Sequence, residues 1–125
     1  MTVRETIDTY FESLTAGDAA KLIGLISTDD SFVKIGTEAG EVIRGGRNAP
    51  DYYRHIMDSA EDFSIDTLHL DIEEREKIAW FLCEQTWHLV WQGKPETLDV
   101  RITGVLEMQN TVWQFVQIHA SQGVE

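Results

Sequence analysis

The residues of this sequence best suited to chemistry are an early tyrosine and two late tryptophans. Tyr10 lies on the apolar side of a predicted helix, where its hydroxyl can donate to a ligand oxygen or simply to one core partner. Trp87 and Trp91 share one face of a predicted strand, either within the core or around a planar apolar molecule. A donor such as Tyr10 would polarise a carbonyl in isomerase, cyclase or dehydratase chemistry, for which no base is identified.

Other reactive side chains favour structural roles. Cys83 is predicted to be a small buried hydrophobe rather than a nucleophile, because no histidine shares its face. Glu84, Arg101 and His119 favour cross-strand pairing over a catalytic cluster. Glu38, in a glycine-rich loop, is the nearest candidate carboxylate for a pocket rim. No zinc-ligand spacing or phosphate-binding glycine motif occurs, so neither a metal nor a cofactor is predicted.

An α+β domain spanning residues 1–125 is predicted to position these side chains. Apolar residues at helical spacing indicate a first helix between Thr2, which begins a capping box, and Gly17. A second short helix carries Leu22 to Ile26, and a third covers 48–59. A short strand at 32–35 precedes a glycine-rich loop, and four long strands follow at 64–75, 78–92, 97–108 and 112–121, with turns at 93–95 and 109–111.

Alternation along the long strands divides the predicted sheet into two faces. One face is nearly all apolar and should lie against the helices, enclosing a mainly apolar pocket. The predicted pocket residues are Tyr10, Leu14, Tyr53, Met57, Cys83, Gln85, Trp87, Leu89, Trp91, Ile102, Gly104, Leu106, Val116, Ile118 and Ala120.

The other face mixes aromatic and aliphatic groups with a few charges, a composition typical of a subunit interface. We therefore expect a homodimer built on this outer face, the alternative being a sheet with scattered surface aromatics. The predicted interface residues are Trp80, Glu84, His88, Arg101, Thr103, Trp113, Phe115 and His119.

Charge and composition narrow the classes of partner and location. The chain carries 10 Lys and Arg against 22 Asp and Glu, a net charge of −12. This balance argues against nucleic acid or an anionic membrane as a partner. A single cysteine and the absence of a signal-like segment favour a cytoplasmic location.

An ordered series of short motifs resembles the SnoaL-like branch of the nuclear transport factor 2-like superfamily. The series runs from Leu14-Thr15-Ala16-Gly17-Asp18 through Gly46-Arg47-Asn48-Ala49 and Arg101-Ile102-Thr103 to His119-Ala120-Ser121. The resemblance implies a curved antiparallel sheet wrapped round three helices into a cone, with a pocket between them and frequent dimers through the outer face.

The segment from Val90 to Pro95 is also similar to a hairpin of bacterial ketosteroid isomerases. That resemblance places the first oxyanion donor on Tyr10, the second on Ile102 and the base near Lys34 or Ile35, so two of the three groups are missing. The calmodulin-dependent kinase association domain is similar around Trp113, but its pocket arginines would correspond to Gly104 and Ala120. Neither activity is therefore predicted.

The sequence as a whole predicts a SnoaL-like protein that binds a small hydrophobic or aromatic molecule in an almost uncharged pocket. Turnover, if present, would be cofactor-independent isomerase, cyclase or dehydratase chemistry. The alternative is a non-catalytic ligand-binding or oligomerisation module.

Overall fold

The computed structural model describes residues 1–123. Three α-helices and a 3-10 turn precede or interrupt six strands, and the bounds follow in chain order. The elements are α1 Val3–Ala16, α2 Ala19–Ile23, β1 Val33–Ile35, β2 Val42–Arg44, a 3-10 turn Gly46–Asn48, α3 Ala49–Ser59, β3 Ala60–Glu74, β4 Ile78–Trp91, β5 Lys94–Gln109 and β6 Val112–Gln122.

Local side-chain chemistry sets both ends of α1 and the start of α2 as predicted. The Thr2 hydroxyl accepts from the Glu5 amide at 3.1 Å, and the Glu5 carboxylate accepts from the Thr2 amide at 2.8 Å. α1 ends at Gly17, and the Asp18 carboxylate then accepts from the Lys21 amide to begin α2. α2 ends at Ile23, before the predicted Ile26, because the following residues extend to pair with β6.

The six strands form one curved, unclosed sheet in the order β2-β1-β6-β5-β4-β3. The four long strands pair antiparallel, as expected, but β1 runs parallel to β6, so the sheet is mixed. β2 was not expected: residues 42–44 lie within the predicted loop and pair antiparallel with β1. A three-residue strand is too short to show an alternating pattern.

Strand ends differ from the predicted ones where turns are tighter or pairing extends further. β3 already begins at Ala60, directly after α3. The β4–β5 turn is Gln92-Gly93, with φ of 49° and 84°, rather than residues 93–95. Positive φ at both central residues matches the twist of the flanking strands. Pro95 consequently lies within β5, opposite Val90.

One extra residue in β6 reverses the side-chain alternation in the first half of that strand. Val105 pairs with Gln117 and Leu106 with Phe115, which leaves Val116 as a β-bulge. Trp113 and Phe115 therefore face the helices and are buried, with 6% and 0% exposure. Their predicted outer-face, interface placement is wrong, because the parity argument assumed an unbroken strand.

The core lies between the inner face of the sheet and the helices. α1 contributes Val3, Ile7, Tyr10 and Leu14 at helical spacing, and α3 contributes Tyr53. The alternation predicted for β4 and β5 is confirmed, since Ala79, Phe81, Cys83, Val100, Ile102 and Leu106 are all buried. Among residues 1–123, no helix is long and apolar enough to cross a membrane.

Candidate functional site

A cavity of about 120 Å³ lies between α1, α3, the β1–β2 hairpin and the inner face of the sheet. Its floor holds buried residues, whereas Glu38 and Gln122 are exposed and mark its mouth. The lining residues are Tyr10, Leu14, Lys34, Gly36, Thr37, Glu38, Glu41, Tyr52, Tyr53, Ile56, Phe63, Trp87, Leu89, Trp91, Glu96, Leu98, Ala120 and Gln122.

Two tyrosine hydroxyls meet in this cavity. The Oη atoms of Tyr10 and Tyr53 are 2.6 Å apart, and both residues are at most 3% exposed. Burial raises the pKa of both hydroxyls, so both remain protonated near neutral pH. One hydroxyl donates to the other, which leaves a second O–H available to an oxygen of a bound molecule.

A carboxylate enters the cavity from the end of the β1–β2 connection. Glu41 Oε2 accepts from the Tyr52 hydroxyl at 2.9 Å, and Oε1 accepts from the Glu38 amide at 2.9 Å. The Glu41 side chain lies across Gly36, where a Cβ would come within 2.7 Å of its Cδ atom. Only glycine at position 36 therefore leaves room for this carboxylate.

Lys34 is a buried basic side chain in the same cavity. It is 5% exposed and points inward from the middle of β1, between Ile43 of β2 and Ile118 of β6. Burial lowers its pKa to about 8, against the opposing effect of the Glu41 carboxylate. The prediction of an almost uncharged pocket is therefore wrong, since Lys34, Glu38, Glu41 and Glu96 all line it.

The opposite wall is aromatic and is held in place by polar contacts from behind. The indole N–H of Trp87 donates to Gln85 Oε1 at 2.9 Å, and the Gln85 amide donates to Thr67 at 3.2 Å. The Phe63 ring packs edge-on against Trp87, with centroids 5.3 Å apart. Gln85 thus positions a wall residue rather than lining the cavity itself.

Seven of the fifteen predicted pocket residues line this cavity: Tyr10, Leu14, Tyr53, Trp87, Leu89, Trp91 and Ala120. Met57 lies at a second, smaller cavity between the C-terminal ends of α1 and α3 and the start of β3, adjoining the first cavity. The Phe81 ring fills the space above Gly104, where a Cβ would meet it at 2.5 Å, so that end of the sheet is solid core. The predicted residues outside the cavity are Met57, Cys83, Gln85, Ile102, Gly104, Leu106, Val116 and Ile118.

The sequence did not identify Lys34 and Glu41 as pocket residues. The short hairpin that carries them gives no periodic signal, and the ketosteroid isomerase resemblance marks Lys34 only as a position where the base is missing. The one sequence feature that could have indicated Glu41 is Gly36, which lies opposite it across the hairpin. This relation becomes visible only once the β1–β2 register is known.

The remaining predicted reactive residues lie away from the cavity. Cys83 is buried, and burial raises its pKa to about 12, which disfavours a thiolate. On the outer face, Glu84 is opposite Arg101, whose guanidinium donates to the Ser121 hydroxyl at 3.2 Å. His119 lies on the same face, opposite Thr103.

Comparison with known families identifies the domain. The profile of the SnoaL-like domain matches residues 3–125. This chain belongs to the SnoaL-like domain family. A search of curated proteins finds no significant match.

Solved structures with the same fold come from several bacteria. A provisionally assigned dehydratase of the NTF2-like family from Streptomyces avermitilis shares 17% identity at a TM-score of 0.88, over 98% of this chain and 94% of that one. A ketosteroid isomerase-like protein from Erwinia carotovora atroseptica shares 12% identity at a TM-score of 0.80, over 98% of this chain and 95% of that one. An NTF2-like superfamily protein from Salmonella enterica shares 17% identity at a TM-score of 0.85, over 97% of this chain and 88% of that one. At these identities the likeness establishes the fold alone.

Proposed function

We propose that this SnoaL-like protein binds a small molecule built on one apolar or aromatic ring that carries a carbonyl oxygen. The observation that carries this proposal is the pairing of an aromatic wall with a free tyrosine O–H in one cavity. An apolar cavity of about 150 Å³ holds benzene, so a cavity of about 120 Å³ suits one ring better than a fused ring system.

The polar groups of the cavity support cofactor-independent proton transfer of the isomerase or dehydratase type. The Tyr10–Tyr53 pair would polarise the carbonyl oxygen, and Glu41 supplies the carboxylate that the sequence alone did not identify as a base. Tyr52 and the Glu38 amide hold this carboxylate in one position. A non-catalytic ligand-binding module is the alternative.

Deuterium exchange separates these possibilities. Acetophenone is titrated while tryptophan fluorescence is followed, and exchange of its methyl protons in D₂O is measured by NMR. We expect binding with exchange, and Glu41→Gln should keep binding but slow exchange at least tenfold, because the amide cannot take a proton. Leu68→Ala on the exposed outer surface is the matched control and should change neither.

Three results would contradict parts of this proposal. Binding without exchange supports the non-catalytic module. Exchange unaffected by Glu41→Gln removes Glu41 as the base. Failure of acetophenone and of other single-ring ketones to bind overturns the proposed function itself.

We also propose that the outer sheet face forms a homodimer. Trp80 and Leu82 remain 41% and 37% exposed there, beside the predicted Arg101, Thr103 and His119. Exposed apolar side chains among charges are typical of such an interface. The cytoplasmic location stays a prediction.

A further inference from the structure

Lys34 is a buried amine that the proposed proton transfer does not use. Its neighbours on the adjacent strands, Ile43 and Ile118, are apolar, and only 5% of its surface is exposed. The other three lysines, Lys21, Lys77 and Lys94, are all exposed. Burying an ammonium without a partner is costly, so its placement in a cavity requires a reason.

The Lys34 ammonium has no bonded partner in the described part of the chain. Among residues 1–123, it takes part in none of the side-chain hydrogen bonds, and no carboxylate oxygen lies within the 4.0 Å of a salt bridge. No fully enclosed side-chain nitrogen in these residues lacks a partner, so Nζ retains access to the cavity. The amine therefore faces the space that a guest molecule would occupy.

We propose that Lys34 forms an imine with a small aldehyde or ketone held in the cavity. The inference rests on the proposed function only in requiring that the cavity admit a ring-sized carbonyl compound. Burial also lowers the pKa of Lys34 to about 8, so the neutral, nucleophilic amine is present near neutral pH.

The reaction balances without any further reagent. The ammonium first releases one proton, and the neutral amine adds to the carbonyl carbon as the C=O π bond breaks. The carbonyl oxygen gains a proton, for which the Tyr10–Tyr53 pair is the nearest donor type in the cavity, and the nitrogen loses one. The neutral carbinolamine then takes back, at its hydroxyl, the proton first released, and loses water as the C=N bond forms. Overall, one ammonium and one carbonyl compound give one protonated imine and one water.

A fixed positive charge that binds a carboxylate is the competing role for Lys34. The cavity itself argues against it, because three glutamates there would repel an anionic guest. A neutral carbonyl compound avoids that repulsion. The titratable groups that share the cavity with Lys34 are Tyr10 from α1, Glu38 and Glu41 from the β1–β2 connection, Tyr52 and Tyr53 from α3, and Glu96 from β5.

Reductive trapping tests the proposal on the intact protein. The chain is incubated with benzaldehyde and cyanoborohydride, and peptide mass mapping locates benzyl groups on the four lysines and the Met1 amine. At pH 7 we expect Lys34 to be labelled on the order of 100-fold faster than the exposed lysines, because its pKa is about 8 against an ordinary 10.5. Phenol, a ring without a carbonyl, should protect Lys34 but leave Met1 labelling unchanged.

Variants and pH complete the test. Lys34 labelling should rise to half its maximum near pH 8, and Lys34→Arg, which keeps the charge, should abolish only the cavity label. Equal labelling of all four lysines, or no protection by phenol, would overturn the proposal. Benzaldehyde that binds without labelling Lys34 would overturn it while leaving the proposed function standing, whereas failure to bind would remove both.

Discussion

At the scale of the residue, the cavity combines groups that are kept neutral with groups that are held charged. Tyr10 and Tyr53 keep their protons because burial disfavours the phenolate. The Glu41 carboxylate accepts two hydrogen bonds, one from Tyr52 and one from a backbone amide. The Lys34 ammonium has no hydrogen-bond or ion-pair partner among residues 1–123. Its burial therefore lowers the stability of the folded protein, and the same burial favours the neutral, reactive amine.

Replacing Lys34 by methionine should therefore stabilise the protein at neutral pH. The pKa falls from 10.5 to about 8 on folding, and we expect the free energy of unfolding to rise by about 2 kcal/mol at pH 7 in Lys34→Met. Between pH 8 and 10 the unfolded wild-type chain binds this proton and the folded one does not. The wild-type free energy of unfolding therefore rises with pH, and the difference from Lys34→Met becomes smaller. Urea unfolding at several pH values measures the difference, and a constant or widening gap would contradict the argument.

At the scale of the element, the β1–β2 hairpin determines the chemistry of the cavity although it contains only six paired residues. It delivers Lys34 from β1 and Glu41 from the connection, directly before β2. The close approach of Glu41 to Gly36 is what lets a carboxylate turn inward instead of toward solvent. The hairpin thus supplies Lys34, Glu38 and Glu41, while the long strands supply the apolar wall and Glu96.

Gly36→Ala should test this arrangement. The added Cβ would lie 2.7 Å from Glu41 Cδ and 2.9 Å from its Cβ, so the backbone of the hairpin must shift as well as the side chain. We expect a loss of about 1–3 kcal/mol in unfolding free energy and slower exchange of acetophenone protons. Gly123→Ala is the matched control, because an added Cβ there meets no heavy atom of the described residues within 4 Å, its chain neighbours aside. A stable Gly36→Ala protein with unchanged exchange would show that the carboxylate does not need this position.

The parts of these elements that sequence could predict are those governed by local chemistry. The capping box at Thr2 and Glu5, the helix end at Gly17 and the alternation of β4 and β5 are all encoded within a few residues. The bulge at Val116 and the strand β2 depend on pairing between distant segments, which no local pattern reports. Lys34 and Glu41 were missed for the same reason, because only that pairing brings both to one cavity.

At the scale of the whole molecule, the two faces of the sheet have different environments. The inner face bears the core and the cavity, whereas the outer face keeps Trp80 beside the guanidinium of Arg75, 5.0 Å from its ring. Two tryptophans that a simple alternation places on one face therefore belong to different surfaces: Trp113 is buried and Trp80 is exposed.

These two tryptophans provide a matched pair for the proposed dimer. Trp113→Ala should lower the unfolding free energy by about 3–5 kcal/mol, because a large buried ring is removed. Trp80→Ala should cost less than about 1 kcal/mol in the monomer but shift sedimentation toward the smaller species. Sedimentation velocity and urea unfolding distinguish the two effects, and a sedimentation profile unaffected by Trp80→Ala would rule out this face as the interface.

The bulge in β6 also limits how this protein can change over evolutionary time. On the two sides of Val116, Phe115 and Ile118 face inward although they are three positions apart. The bulge divides β6 into two stretches, each with its own inward and outward alternation. Phe115 of the core lies in the first stretch and Ala120 of the cavity in the second, so a substitution that reshapes the cavity need not disturb the core. A gain or loss of one residue would instead turn inward side chains to solvent, and we expect this strand to diversify by replacement while its length stays fixed.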